Sequence, residues 1–477
     1  MIKLNEELTS KQYIAVISSL AILFLLPMII SGSYYVDDVI RSNTGMLGWW
    51  DLGRPASDLV VSAISFNFIR SADVYPVTIL LSCLANILTS CYLGKIFSIR
   101  HTITSALVCS LPTINSLYIQ NMMYRYDCLP MSLSVLLAVY AQFVILNKRS
   151  YFLLFSPMAL IASFMLYQPA APSFVVLTIF LYAYNFENKL SYSTLIKSIS
   201  SFAVSISSYT IYTKLAITTA RSKLVFERPD WIDFMLGNAS KLLDLYVRAY
   251  SYIGLSIILL LCIFCFVVYI KFIFISNPNR HKYRLLSLIM IPFPLYAFIA
   301  SMILITVIAE WPAGPRVAIP FGFFCFGAMI LFFKHIRFNG CFFVIPLFFV
   351  FSSIVTSAAA SNAYGSQVRI DTSTALRITH QERFKSRNVF VGGRLQSSSI
   401  AINNEKSFPV IKDINFPANH WIMSLMLRAN GVSKVVISGD VRKKEILTKK
   451  ACEKGVIIEK VKYNICEMNG DVYVYLK

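Results

Sequence analysis

Long uninterrupted blocks of apolar residues constrain this chain more than any other feature. Most carry about 17–25 residues with almost no charge, enough to cross ~30 Å of hydrocarbon as helices. Soluble domains run near ~25% charged residues, whereas this chain of 477 residues is 56% hydrophobic and only 14% charged. Its mean hydropathy is +0.62. Apolar length predicts about eleven spans, at residues 13–31, 74–93, 102–119, 129–146, 151–167, 172–186, 195–217, 252–275, 285–309, 317–333 and 341–357. The pair flanking Gln168 also reads as one broken helix. No small-residue cleavage site follows the first block, so it reads as a retained span. The expected fold class is a polytopic α-helical membrane protein with a small C-terminal α/β soluble domain.

The net charge of +20 sits in short basic clusters between apolar blocks and in the tail, with no nucleic-acid recognition motif. Membrane lipids and lipid-linked phosphates suit that distribution better than nucleic acid. Cys262 and Cys265 form a CxxC inside an apolar span without a second pair or a nearby His, so they read as core, as do Cys83, Cys91, Cys109, Cys128, Cys325 and Cys341. Cys452 and Cys466 lie in the polar tail, where an extracytoplasmic setting would permit a disulfide. Walker A, GxGxxG and HExxH sequences are absent, which argues against ATP-driven and zinc chemistry.

Two domains are expected: a transmembrane part over 1–358 and an α/β domain over 359–477. With the N-terminus inside, the basic short loops fall on the cytoplasmic side, although the bias is weak. An odd number of spans then places the C-terminal domain on the same outer side as two long loops, 32–73 and 218–251. In the first, Leu59, Val60, Ala63, Ile64 and Phe68 share a helical face suited to the membrane interface. In the second, Trp231, Phe234, Leu242, Leu245 and Tyr246 do the same; extended span ends are the plainer reading of both. In the tail, 388–393 and 435–439 read as strands and 421–430 and 442–454 as helices. Residues 456–463 and 472–476 read as a terminal strand pair.

The outer loops hold the candidate chemistry. Asp37 and Asp38 leave the first span together, and charge at a bilayer boundary is costly enough to suggest function. Either carboxylate suits a general base on a sugar hydroxyl; a solvated turn or a helix N-cap is the structural alternative. Arg41, Arg54, Arg125 and Arg316 fall on the same expected side. A guanidinium fork suits phosphate oxygens, while salt bridges to Asp37, Asp51, Asp127 or Glu310 are the alternative. Trp49, Trp50, Tyr124, Asp127, Glu310 and Trp311 mix acids with aromatics, as sugar sites do and as interfacial aromatic belts also do.

These residues carry a resemblance. The run Tyr35-Val36-Asp37-Asp38-Val39-Ile40-Arg41, then Gly48-Trp49-Trp50-Asp51-Leu52-Gly53-Arg54-Pro55, resembles the bacteriophage-encoded, serotype-converting O-antigen glucosyltransferases (the Gtr family of type II). These belong to the integral-membrane GT-C glycosyltransferases. The layout is similar over the whole chain; the specific likeness covers about the first sixty residues. The resemblance implies a multi-pass bacterial inner-membrane enzyme with its site and C-terminal domain in the periplasm. Glucose would pass from undecaprenyl-phosphate glucose to a sugar of the lipopolysaccharide O-antigen, with inversion. Asp37 or Asp38 would take the acceptor proton, and the arginines would hold the leaving phosphate. No cofactor is required, and a divalent metal, though compatible, is not indicated. A flippase and a donor synthase are the implied functional partners. An O-antigen polymerase and a lipid-linked oligosaccharide flippase or transporter are the competing functions. The usual GT-C acidic pair is DE or ED; this chain carries two aspartates.

Overall fold

The computed structural model describes residues 6–147, 151–185, 191–217, 225–275, 288–307, 314–336, 340–381, 384, 387–437 and 441–477. Among these, six helices are long and apolar enough to cross a bilayer: Ser10–Ser31, Val77–Ile96, Cys128–Leu146, Trp231–Lys271, Ile319–Ile336 and Val344–Thr379. Leu154–Ala170 and Pro172–Tyr184 meet at a bend of 100° and make a seventh if counted as one span. This is consistent with a multi-pass membrane protein.

The apolar runs alone suggested about eleven spans; the described helices differ from them at the following runs. Run 102–119 breaks into Ile103–Ser110 and Ile119–Met123. Between those pieces Asn115 bonds the carbonyls of Leu111 and Pro112. Runs 151–167 and 172–186 are the bent pair. Run 195–217 forms a helix over Ser191–Ala216 that is long enough but rich in serine and threonine. Within run 285–309 the described helix, Phe293–Thr306, has 14 residues.

We number as α1 Ser10–Ser31, α2 Asp38–Thr44, α3 Pro55–Ile64 and α4 Val77–Ile96. The long apolar helices solve a polar problem internally. Ser82, Thr89 and Ser90 on α4 each donate to the carbonyl four residues back, which satisfies a hydroxyl where water is excluded. α1 starts with a Thr9–Gln12 capping box and ends at Gly32, whose left-handed φ of 52° lets its N–H reach the Met28 carbonyl. That turn aims the chain into the aspartate loop.

The two expected interfacial faces part company: in the first, Leu59, Ala63 and Phe68 are exposed and Val60 and Ile64 half-buried, as such a face requires. The only difference is that α3 stops at Ile64, so Phe68 lies in the turn that follows, while Val61 on the other side of the helix is buried. In the second loop, residues 218–224 lie outside the described residues. Helix Trp231–Ile275 is broken at Ser251 (φ 59°). Ahead of the break, Leu242, Leu245 and Tyr246 are buried in the core, and Tyr246 stacks on Phe321 at 3.9 Å. These three therefore form a core face, not an interfacial one.

The last long helix, Val344–Thr379, runs unbroken for 36 residues, through the composition change near residue 358. Beyond it lies a four-stranded sheet of β1 Val389–Gly393, β2 Val456–Glu459, β3 Tyr463–Met468 and β4 Asp471–Leu476, in the order β1-β4-β3-β2. β1 and β4 are parallel, with Val389 opposite Val472; the other pairs are antiparallel. The expected terminal pair is thus a three-strand arrangement with β3 in the middle. Of 435–439, Val435 makes only an isolated bridge to Val389, and 438–440 lie outside the described residues. Helices His420–Ala429 and Val441–Lys454 match the expected positions. Cys452 and Cys466 are joined as a disulfide, Cα atoms 5.2 Å apart, tying helix Val441–Lys454 to β3.

Candidate functional site

The two aspartates have unlike surroundings. Asp38 opens α2 and is fully buried. Its Oδ2 accepts the Tyr35 N–H at 3.2 Å and the Arg125 N–H at 2.8 Å, so it ties this loop to a turn 87 residues away. Its Oδ1 is buried without a partner. Burial pushes the Asp38 carboxyl up to about 7, and nearby Asp127 adds to this; the Arg125 amide, Arg41 and the Tyr35 amide pull the other way. Asp37 is 42% exposed and lies 3.9 Å from Arg41. It takes the N-cap position of α2 but makes no capping bond, which leaves its carboxylate available.

Between Tyr35 and Asp37, Val36 adopts φ 46°. A β-branched residue pays of order 1–3 kcal/mol for a left-handed backbone, and such strain persists only where neighbours impose it. Tyr364, from helix Val344–Thr379, is the imposing neighbour. Its hydroxyl accepts the Val36 N–H at 3.3 Å and donates to the Tyr34 carbonyl at 3.0 Å. Tyr35, fully buried, donates its hydroxyl to the Ile414 carbonyl at 2.7 Å and accepts from Gln120 at 3.0 Å. The C-terminal region therefore touches the aspartate loop directly. A paired ion contact, Arg248 to Asp413 at 2.6 and 3.2 Å, fastens it nearby.

The four arginines divide into two pairs. Arg125 is committed: it bonds Asp73 at 2.9 Å and lies between the Tyr34 and Tyr75 rings at 3.9 and 4.5 Å. Arg54 is committed too, 3.7 Å from Asp127, bonded to Gln168 at 3.1 Å and set over Tyr167. Arg41 is 94% buried, its guanidinium 4.1 Å from the Trp49 ring and its Nε without a partner. Arg316 bonds the Tyr124 hydroxyl and pairs with no carboxylate among the described residues. Burial acts to lower the Arg316 pKa, but Tyr124, Tyr167 and Asp37 more than reverse this, so it stays a cation. Gln120 fixes the Arg316 backbone, accepting its N–H at 2.9 Å.

The aromatic candidates separate as well. Trp49 is fully buried, donating its indole N–H to Asp127 while its face carries Arg41; no sugar reaches it. Trp50 is half-exposed and meets Tyr212 edge-on at 6.1 Å. Tyr124 is buried, its ring 4.7 Å from Tyr35. Glu310 and Trp311 lie outside the described residues.

Several residues at the site escaped the sequence reading. Asp58 on α3 gathers the N–H groups of Gly48, Trp49 and Trp50, making the two-tryptophan turn. Gln168, at the bend of the broken pair, bonds the Leu52 carbonyl at 2.9 Å and the Tyr209 hydroxyl at 2.8 Å. Gln120 and Gln168 carried a usable signal: amides inside apolar runs, where an unpaired polar group is expensive. Tyr364 and Ile414 carried none. Among the described residues no group of three His, Cys, Asp or Glu side chains is placed to hold a metal.

A half-exposed carboxylate near the buried guanidinium of Arg41 and the half-buried one of Arg316 can accept a proton from a hydroxyl while stabilising an anion nearby. Fold and site thus define a many-helix protein with an acid–arginine centre where α1 leaves the bundle. The family model described as Glucosyl transferase GtrII matches residues 26–332, more than half of the chain, and the chain belongs to that family. A protein of Salmonella phage P22, described as an uncharacterized 55.3 kDa protein in the gtrB 5' region, is 31% identical over 190 residues. That similarity spans 40% of this chain and 39% of the phage protein, well under two thirds of the latter's length.

Proposed function

We propose that this chain is an inverting glucosyltransferase of the bacterial inner membrane. It moves glucose from undecaprenyl-phosphate glucose to a sugar of the O-antigen on the periplasmic face. Family membership supports a glucosyl donor and a sugar acceptor. The observation that carries the mechanism is the placement of Asp37, half-exposed at 42% and 3.9 Å from Arg41, with Arg316 within electrostatic reach.

Asp37 takes the proton of the acceptor hydroxyl, whose oxygen attacks the anomeric carbon. The bond from that carbon to the phosphate oxygen breaks with inversion, and polyprenyl phosphate leaves. Arg41 and Arg316 stabilise the charge gathering on that phosphate. Asp38, Arg54 and Arg125 act as positioning residues. The Cys452–Cys466 disulfide favours an oxidising compartment. Because Tyr35 bonds Ile414, the C-terminal region and the aspartate loop share that side.

The test is reconstitution with undecaprenyl-phosphate glucose and lipid-linked O-antigen, scoring glucose incorporation with and without chelator. A reporter fused after Lys477 should score periplasmic. No transfer by the wild-type protein with any lipid-linked acceptor would overturn the reading, as would full activity of Asp37→Asn.

A further inference from the structure

Between α3 and α4 the chain makes a tight turn that displays three large apolar side chains. Phe66 is 95% exposed, Phe68 69% and Ile69 85%. The turn is built, not loose. Asn67 Oδ1 accepts the N–H groups of Ile69 at 2.8 Å and Arg70 at 3.0 Å. Ser65 Oγ accepts from Ala72 at 3.0 Å. Phe66 is held at φ 50°, a strained backbone that throws its ring outward. Water would penalise such a display, because exposed contiguous apolar groups of this size normally meet a partner.

We propose that turn 66–69 inserts into the outer leaflet of the chain's own membrane and acts as a lipid anchor for the aspartate loop. Its surroundings favour lipid over a protein partner. The outward Leu59 on α3 extends the same apolar display, and exposed Arg70 follows it at headgroup position. A few residues on, α4 begins at Val77, and Leu80, Leu84 and Leu88 continue outward along that helix, so the turn is continuous with a lipid-facing strip. The base of the turn is bound to the site. The Ser71 N–H bonds the Gly45 carbonyl at 2.8 Å, at the end of α2, and Asp73 holds both Tyr34 and Arg125. The depth of the turn in the leaflet therefore sets the height of Asp37 above it.

This inference rests on the membrane placement proposed above and is independent of the transfer reading. The experiment places the photoreactive residue p-benzoylphenylalanine singly at Phe66, Phe68, Leu84 and Leu447 in the full chain. The proteins are irradiated in nanodiscs of phosphatidylethanolamine and phosphatidylglycerol. Phospholipid adducts are expected at 66 and 68 with yields near that at Leu84 and several-fold above Leu447, an exposed residue of the C-terminal region. Adducts at 84 without adducts at 66 and 68 would overturn the anchor and leave the membrane placement standing. Protein–protein adducts at 66 or 68 would overturn it in favour of a second copy. Absence of adducts at 84 would remove the membrane placement, and the anchor with it.

Discussion

Replacing Asp38 with Asn isolates the cost of burying its charge. Asp38 loses its proton near 3.8 when unfolded but only at about 7 in the fold. The folded state therefore holds an extra proton between those values. The sign follows directly: stability declines as pH rises from about 4 to about 7 and is level above. A shift of that size is worth roughly 4 kcal/mol once complete. Asn keeps an oxygen to accept from the Tyr35 and Arg125 amides, and its NH2 takes the place of the unpartnered Oδ1. The protonated carboxyl carries a similar unpaired donor, so variant and wild type should be equally stable near pH 4. At pH 8 the variant should be the more stable by a few kcal/mol. Equilibrium unfolding in mixed micelles across pH 4.5–8.5 measures the difference. An Asn variant less stable than wild type at pH 8, or a pH-independent difference, would refute the account of Asp38 as a buried positioning carboxylate.

Asp37→Asn removes a half-exposed group with one distant ionic contact, so unfolding should be unchanged while kcat falls by about 10²–10⁴-fold. Arg316→Ala should weaken donor use with little loss of stability. Arg125→Ala should do the reverse, costing about 1.5–3 kcal/mol in unfolding because a charged hydrogen bond to Asp73 is lost, with the donor KM unchanged. Tyr35→Phe leaves the Ile414 carbonyl and the Gln120 amide without their partner; a loss of about 1–3 kcal/mol is expected by the same unfolding assay.

What was legible in the sequence followed from chemistry that acts locally. Apolar length marked the long helices, and costly charge marked the loop at Asp37 and Asp38. The difference between the two aspartates was not legible, because it is set by the Arg125 amide, far along the chain. Trp49 read equally as a sugar-stacking ring or an interfacial belt residue; Arg41 and Asp127 cover it, which spacing does not reveal. The burial of Leu242, Leu245 and Tyr246 depends on partners such as Phe321, which only folding supplies. β3 was missed because Asn464, Cys466 and Glu467 blur its alternation. The division of the arginines into bound and weakly neutralised pairs depends on Asp73 and Gln168, which only the fold brings near.

Helix Val344–Thr379, at 36 residues, is about 54 Å long, against ~30 Å of hydrocarbon. On the placement proposed above, roughly 24 Å of it stands clear of the bilayer as a mast. Gln367 and Asp371 on that upper part bond Ser398 and Ala418, and Ala375 and Ile378 share a core with Val389, Ile465 and Val474 of the sheet, so the sheet rides on it as one body. A tilt of about 10° about the bilayer midplane would swing its far end by about 7 Å, and Tyr364, about 15 Å above that plane, which clamps Val36, by about 3 Å. Since bilayer thickness sets the tilt of an overlong span, the pose of Asp37 becomes a gauge of the membrane, and transfer rate should vary with acyl-chain length.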